Sequence, residues 1–125
     1  MGKVVGISVL TLVFATAVVA GESSVTCEIL DDGTEKIQCT LVTPRKNEAR
    51  ETTFYWHSEA YPQDDRERQL SLPANHGSVY DYRYLRGRAQ GDWKITVTLT
   101  DADGSETETT CRFQLQDDKI VQADK

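Results

Sequence analysis

Apolar and polar side chains alternate along residues 92–100, and a period of two is the signature of a β-strand with one buried face. Trp93, Ile95, Val97 and Leu99 share one face, whereas lysine and threonine residues occupy the other. Similar short runs recur between turn residues. They predict seven strands: Ser24–Leu30, Glu35–Thr43, Thr52–His57, Arg68–Leu72, Ser78–Leu85, Asp92–Thr100 and Ser105–Leu115. Regular spacing of this kind is typical of an all-β, antiparallel β-sandwich.

The turn sequences predict how neighbouring strands align. Asp-x-Gly sequences favour three-residue loops with the glycine in the left-handed conformation. Such a loop at Ala102–Gly104 sets Ile95 opposite Cys111 and Trp93 opposite Phe113, so that apolar faces meet. A two-residue loop would bury charged side chains and is disfavoured.

A charged start and an apolar run open the chain. Lys3 precedes the uncharged segment 4–19, which ends in small residues up to Ala20. This arrangement predicts a secretory signal peptide over residues 1–20 and a secreted or periplasmic protein; a retained membrane anchor is the alternative. Residues 21–115 are then the β-sandwich domain, and 116–125 are a flexible C-terminal tail.

Cys27, Cys39 and Cys111 all fall on the apolar faces of their predicted strands. In an oxidising compartment, three cysteines predict one disulfide and one free thiol. If Asp31 pairs with Glu35 across the first turn, Cys27 lies directly opposite Cys39, and a disulfide between them is favoured. If Leu30 pairs with Thr34 instead, the two cysteines are diagonal neighbours and bridge poorly. A bridge from Cys111 to Cys39 or to Cys27 is the alternative.

Acidic residues outnumber basic ones, 20 against 14, which gives a formal net charge of −6. Removal of the leader with Lys3 makes the chain still more negative. This balance argues against nucleic acid as a partner, because neutralising phosphates requires clustered lysine and arginine. No membrane association is expected after cleavage. The predicted partner is another protein.

The fifth predicted strand carries the candidate binding residues. Its tyrosines share one face, and arginines lie within or just after the strand; the candidate partner-binding residues are Tyr80, Tyr82, Tyr84, Arg83, Arg86 and Arg88. Tyrosine and arginine are favoured in protein interfaces, where such a ladder would form a platform for a protein or a sugar. The alternative is that the tyrosines cover the rim of the core.

Catalysis and metal binding find little support in the sequence. His57 and His76 show no recurrent spacing to an acidic residue, and an enzyme would need a pocket that unites one of them with a carboxylate. Zinc is disfavoured because no C-x-x-C is present, and the acidic turn Asp101–Gly104 lacks the further ligands of a calcium loop. We predict a non-catalytic binding or structural module without a cofactor.

A second functional hypothesis concerns the mixed-charge segment 62–68, which is predicted to be a solvated loop. In this alternative, the protein is a small secreted inhibitor or effector that blocks a target protein through its loop 58–68.

Two sets of residues resemble known families. Trp56 on a central strand, with a cysteine before it and another after it, resembles immunoglobulin domains in architecture. A longer set is similar to small exported bacterial immunoglobulin-like domains of unknown function: Thr53–His57, Tyr82–Leu85, Gly91–Val97, Asp103-Gly104 and Cys111–Phe113. The resemblance implies an immunoglobulin-like sandwich of about seven strands in a cell envelope, without known chemistry.

Overall fold

Two antiparallel β-sheets pack face to face in the computed structural model, which describes residues 22–121. The strands are β1 (Ser24–Asp31), β2 (Glu35–Val42), β3 (Arg50–Ser58), β4 (Arg66–Leu72), β5 (Ser78–Tyr84), β6 (Gly91–Thr100), β7 (Glu106–Gln116) and β8 (Lys119–Val121). A 3-10 turn, Pro62–Asp64, precedes β4. The predicted all-β sandwich is confirmed. The predicted signal peptide, residues 1–20, lies outside the described residues.

The order of the strands is that of an immunoglobulin-like sandwich. One sheet is β1-β2-β5 and the other is β4-β3-β6-β7-β8. In immunoglobulin lettering, the first sheet corresponds to A-B-E and the second to C′-C-F-G, with β8 added beyond G. Within residues 22–121, no helix is long and apolar enough to cross a bilayer.

The core lies between the inward faces of the two sheets. Strands β6 and β7 follow the predicted register, with Trp93 opposite Phe113 and Ile95 opposite Cys111. Trp93 stacks on Phe113 and meets Trp56 edge to face, with ring centroids 6.4 Å apart in both pairs. Trp56, Trp93 and Phe113 are all buried, and aromatic pairs in these arrangements stabilise a core beyond the area they bury.

Cys27 is joined to Cys39 by a disulfide across β1 and β2, and Asp31 pairs with Glu35, the register in which the two cysteines face each other. Cys111 is the free cysteine of the described chain, so the alternative bridges through Cys111 are not formed. Burial raises the pKa of the Cys111 thiol to about 11, which keeps it protonated at neutral pH. The disulfide is consistent with an extracellular or periplasmic location.

The eighth strand corrects the prediction of a flexible tail over residues 116–125. Asp117 and Asp118 both adopt positive φ, 53° and 60°, and form a two-residue turn. This turn brings Lys119–Val121 back against β7, where Ile120 lies opposite Leu115 and packs on the core. Partial burial of Ile120 stabilises the strand, but two adjacent apolar residues, Ile120 and Val121, in a polar segment show no alternation that would predict a strand. Residues 122–125 lie outside the described part.

Replacing Cys27 and Cys39 together by alanine is expected to lower the free energy of unfolding by about 2–3 kcal/mol, because the bridge restricts the unfolded chain across 12 residues. Urea denaturation measures the change. Cys111→Ala is the matched control and should lower this energy by about 1 kcal/mol or less, since it removes only a partly buried thiol. Equal losses in the two proteins would contradict a stabilising role for the bridge.

Candidate functional site

A buried carboxylate joins the two sheets. Asp81 lies on β5 and points inward, where its side chain has no solvent exposure. Trp56 on β3 donates its Nε1–H to Asp81 Oδ2 at 2.8 Å. From β4, Arg66 and Arg68 donate to the two carboxylate oxygens at 2.7 and 3.2 Å. Charge-assisted hydrogen bonds from the opposite sheet therefore compensate the buried negative charge.

A second carboxylate, Asp64, holds the neighbouring arginines. Arg83 follows Asp81 by two residues on β5 and also points inward, with 8% of its surface exposed. It donates to the backbone oxygen of Asp64 at 2.6 Å and to Oδ1 at 3.0 Å. Arg88 lies 3.4 Å from the same Oδ1, and the N–H of Ala89 donates to Oδ2 at 2.8 Å. Asp64 thus fixes two guanidinium groups at the end of β5.

Aromatic faces hold the buried guanidinium in place. Arg83 Cζ lies 5.8 Å from the ring of Trp56 and 5.7 Å from the ring of Trp93, within the range of cation–π attraction. Burial is the largest factor that lowers the pKa of Arg83; repulsion from Arg88 and Arg66 acts in the same direction, against the attraction of Asp64. Arg66 and Arg88 therefore lie close enough to Arg83 for their like charges to oppose one another.

These arginines line an open groove of about 290 Å³ where the edge strands β4 and β5 approach each other. We call it the arginine groove, and its lining consists of Arg66, Arg68, Tyr82, Arg83, Tyr84, Arg86 and Arg88. It contains five of the eight arginines in the chain. Because Asp64 and Asp81 are the only carboxylates of residues 22–121 that pair with these arginines, positive charge predominates in the groove.

The predicted tyrosine face lies beside this groove. Tyr80, Tyr82 and Tyr84 share the outer face of β5; Tyr80 and Tyr84 are each 53% exposed, whereas Tyr82 is partly buried. Tyr82 meets Tyr84 edge to face at 5.8 Å, and Lys36 Nζ lies 4.9 Å from its ring centre. Tyr82 and Tyr84 line the groove, while Tyr80 continues the exposed face past its end.

Arg83, Arg86 and Arg88, the arginines singled out in the sequence, all line the groove. Arg86 is exposed and forms no ion pair with any residue between 22 and 121. Sequence reasoning missed Arg66 and Arg68, because it assigned the segment 62–68 to a solvated loop. In the structure β4 begins at Arg66, and Arg66 and Arg68 both bond to Asp81 on β5, whereas Glu67 between them is exposed.

A separate hydrogen-bonded cluster surrounds Asp65 beside β3. His57 Nδ1 lies 2.8 Å from Asp65 Oδ2, Tyr55 donates its hydroxyl to the same oxygen at 3.0 Å, and the Ser58 N–H donates to Oδ1 at 2.8 Å. Burial opposes ionisation of Asp65, but the bonds from His57, Ser58 and Tyr55 outweigh it and lower its pKa below the ordinary 3.8. No spacing in the sequence indicated a carboxylate partner for His57.

The cluster lacks a presented nucleophile. Ser58 is fully buried, and its hydroxyl accepts a hydrogen bond from the Tyr61 N–H at 3.0 Å. The second histidine, His76, is exposed on the turn before β5 and is not part of the groove lining. The hydrogen bonds of Asp65 have a structural role, since they connect the corner before β4 to strand β3.

Comparisons with known proteins add little to this geometry. No family model matches the chain, and no curated protein matches it. Among solved structures, the chain is similar to catalytically inactive OgpA from Akkermansia muciniphila in complex with an O-glycopeptide substrate, glycodrosocin (15% identity, TM-score 0.46), and to wild-type OgpA (17% identity, TM-score 0.47). The similarity covers 81% of this chain but only 30% and 29% of the OgpA chains.

Asp81→Ala is expected to lower the free energy of unfolding by about 3 kcal/mol, because Trp56 Nε1 loses its acceptor inside the core and Arg66 loses its compensating charge. The control is Asp92→Ala, which removes an exposed carboxylate bonded to Gln114 and should lower it by less than about 1 kcal/mol. Chemical denaturation of both variants measures the difference. A loss for Asp81→Ala no larger than for Asp92→Ala would show that the buried carboxylate is dispensable.

Asp65→Asn is expected to reduce the loss of stability that the protein shows at low pH. Because the folded-state pKa of Asp65 lies below its unfolded value, its contribution is fully present above the ordinary pKa of 3.8 and is lost as the pH falls through the folded value. Thermal midpoints measured from about pH 6 down to about pH 3 should therefore fall less in this variant than in the wild type. Asp92→Asn controls for loss of a carboxylate. If the thermal midpoints of the wild type and of Asp65→Asn fell in parallel with pH, a lowered folded-state pKa of Asp65 would be refuted.

Proposed function

We propose that this protein is an exported, non-catalytic binding module of the cell envelope or extracellular space, and that the arginine groove contacts acidic groups of a partner protein. One observation carries the proposal. An acidic chain, of net charge −6, concentrates five guanidinium groups in one open groove beside exposed tyrosines. Such segregation of charge is expected of a surface that selects an oppositely charged partner.

The chemistry of the lining fits carboxylates. A guanidinium presents its donors as a planar fork that matches a carboxylate, and arginine and tyrosine contribute strongly to binding energy at interfaces. Asp81 and Asp64 already hold Arg66, Arg83 and Arg88 in place, so less side-chain entropy is lost when a partner binds. Arg86 provides a cation without an internal partner in the described chain.

The shape of the groove favours a partner surface over a small apolar ligand. Sites for small organic ligands are usually enclosed and predominantly apolar, with volumes of roughly 300–1,000 Å³. The arginine groove is open, about 290 Å³ in volume and lined by arginine and tyrosine. Tyrosine hydroxyls and guanidinium groups at its rim remain available for hydrogen bonds to a protein.

The predicted leader and the disulfide both support export. Residues 1–20 have the pattern of a signal peptide, and the Cys27–Cys39 bridge suits an oxidising compartment. The resemblance to small exported bacterial immunoglobulin-like domains agrees with a place in the envelope.

The alternative, inhibition of a target through loop 58–68, has weaker support. Tyr61 is exposed at this corner, but Asp64, Asp65 and Arg66 are already bonded to other parts of the fold. These three side chains are used within the fold, whereas Arg86 of the arginine groove has no ion-pair partner among residues 22–121.

Arg86→Glu is expected to weaken binding of the native partner about tenfold or more, because it places a like charge against acidic groups at the groove. The protein serves as bait for affinity capture from its native host, and titration of the captured partner gives the affinity. Arg112→Glu is the matched control, since it makes the same charge change on an exposed residue of β7 outside the groove. Thermal midpoints should match in both variants.

Replacing Tyr82 and Tyr84 together by serine should also weaken capture, while the inhibitor hypothesis expects loss only when loop 58–68 is altered. Retention of the partner by Arg86→Glu at the level of Arg112→Glu would rule out the groove as the contact surface.

A further inference from the structure

Strand β5 has a free edge that faces the arginine groove. Beyond both ends of the strand, odd-numbered residues bond toward β2: the Thr43 N–H donates to Gly77 O at 2.9 Å, and the Leu85 N–H donates to Glu35 O at 3.1 Å. In an antiparallel ladder the hydrogen-bonded residues alternate along the strand. The even-numbered residues Tyr80, Tyr82 and Tyr84 therefore direct their backbone N–H and C=O groups away from β2.

An independent contact confirms this direction. Arg66 on β4 donates from Nη2 to the backbone oxygen of Tyr82 at 3.1 Å, so this oxygen points to the groove side of β5. No strand of the described chain pairs with β5 on that side, because β5 ends its sheet. The backbone groups of Tyr80 and Tyr84 form no hydrogen bond to another backbone group among residues 22–121.

Free strand edges in native proteins are commonly guarded by charged side chains. The charged side chains that line the groove beside this edge are all positive: Arg66 and Arg68 lie on the facing strand β4, and Arg86 and Arg88 follow β5. Such an edge repels a basic strand and attracts an acidic one. Added strands gain affinity from backbone hydrogen bonds and specificity from alternate side chains.

We propose that the partner contributes an extended acidic segment, which pairs with the free edge of β5 as an added strand and places acidic side chains against the arginine groove. This inference rests on the proposed function and specifies how the partner is held. A second copy of this chain is a poor occupant. Pairing two β5 edges about a two-fold axis would bring the two arginine grooves together, and like charges would oppose the contact.

The probe is a phage-displayed library of random linear 12-residue peptides panned against the purified protein. Selected peptides should be rich in Asp and Glu and should bind Arg86→Glu at least about tenfold more weakly than Arg112→Glu. A synthetic copy of the best peptide is then N-methylated at alternate amides. Methylation of the peptide amides that face β5 should weaken binding about tenfold or more, because it removes the N–H groups that pair with the strand. Methylation of the intervening amides, which point away from β5, should have little effect.

A backbone change on the protein side provides the second readout. Tyr80→Pro removes an N–H that faces the free edge, and proline is tolerated on edge strands where that N–H is not needed in the ladder. Tyr80→Thr removes the same ring but retains the N–H. The proline variant should bind the peptide about tenfold more weakly than the threonine variant. If Tyr80→Pro fails to fold, the two methylated peptides decide the question.

Each result has a distinct meaning. Acidic peptides that need Arg86 but tolerate N-methylation equally at both sets of amides would overturn strand addition and leave the proposed function standing. Selection without acidic enrichment, or binding indifferent to Arg86→Glu, would overturn both. A dimer detected by light scattering that the peptide dissociates would show that a second copy occupies the edge, against the inference.

Discussion

The buried carboxylate of Asp81 is the constraint from which the groove arises. An ionised carboxylate inside a sandwich is strongly unfavourable unless donors surround it. Its donors come from the opposite sheet, the indole of Trp56 and the guanidinium groups of Arg66 and Arg68. Satisfying one anion in the interior therefore draws two cations to the same edge of the sandwich. Because both arginines are still partly exposed, 35% and 48% for their side chains, they remain available to external anions.

The fold could be predicted because its signals are local. A strict period of two along β6 identifies the buried face, and the turn before β7 sets Trp93 opposite Phe113. For the first hairpin the same reasoning left two registers, both of which keep the apolar faces together, and the structure shows the one that sets Cys27 opposite Cys39. These inferences need only the chain's own periodicity and the geometry of short loops.

The groove could be predicted only in part, because its contacts join strands from different sheets. Periodicity separated Asp81 and Arg83 from the tyrosines of β5, but it did not decide which of the two faces is buried or what would meet Asp81 and Arg83 there. The segment containing Arg66 has the same mixed charge whether it is solvated or turned inward. The pairing of His57 with Asp65 escaped notice for the same reason, since the corner after Tyr61 decides which acid reaches the imidazole. Partners across a sandwich depend on tertiary geometry, which sequence spacing does not encode.

Charge segregation also explains how a small sandwich tolerates an open edge. An unpaired strand is a template for aggregation, and β5 carries exposed aromatic side chains that would strengthen such contacts. The guanidinium groups of Arg66, Arg68 and Arg86 impose repulsion on any copy that approaches edge to edge. They impose none on an acidic segment. The same cations that Asp81 and Asp64 anchor within the fold would therefore favour an acidic segment over a second copy at this edge, as the proposed strand addition requires.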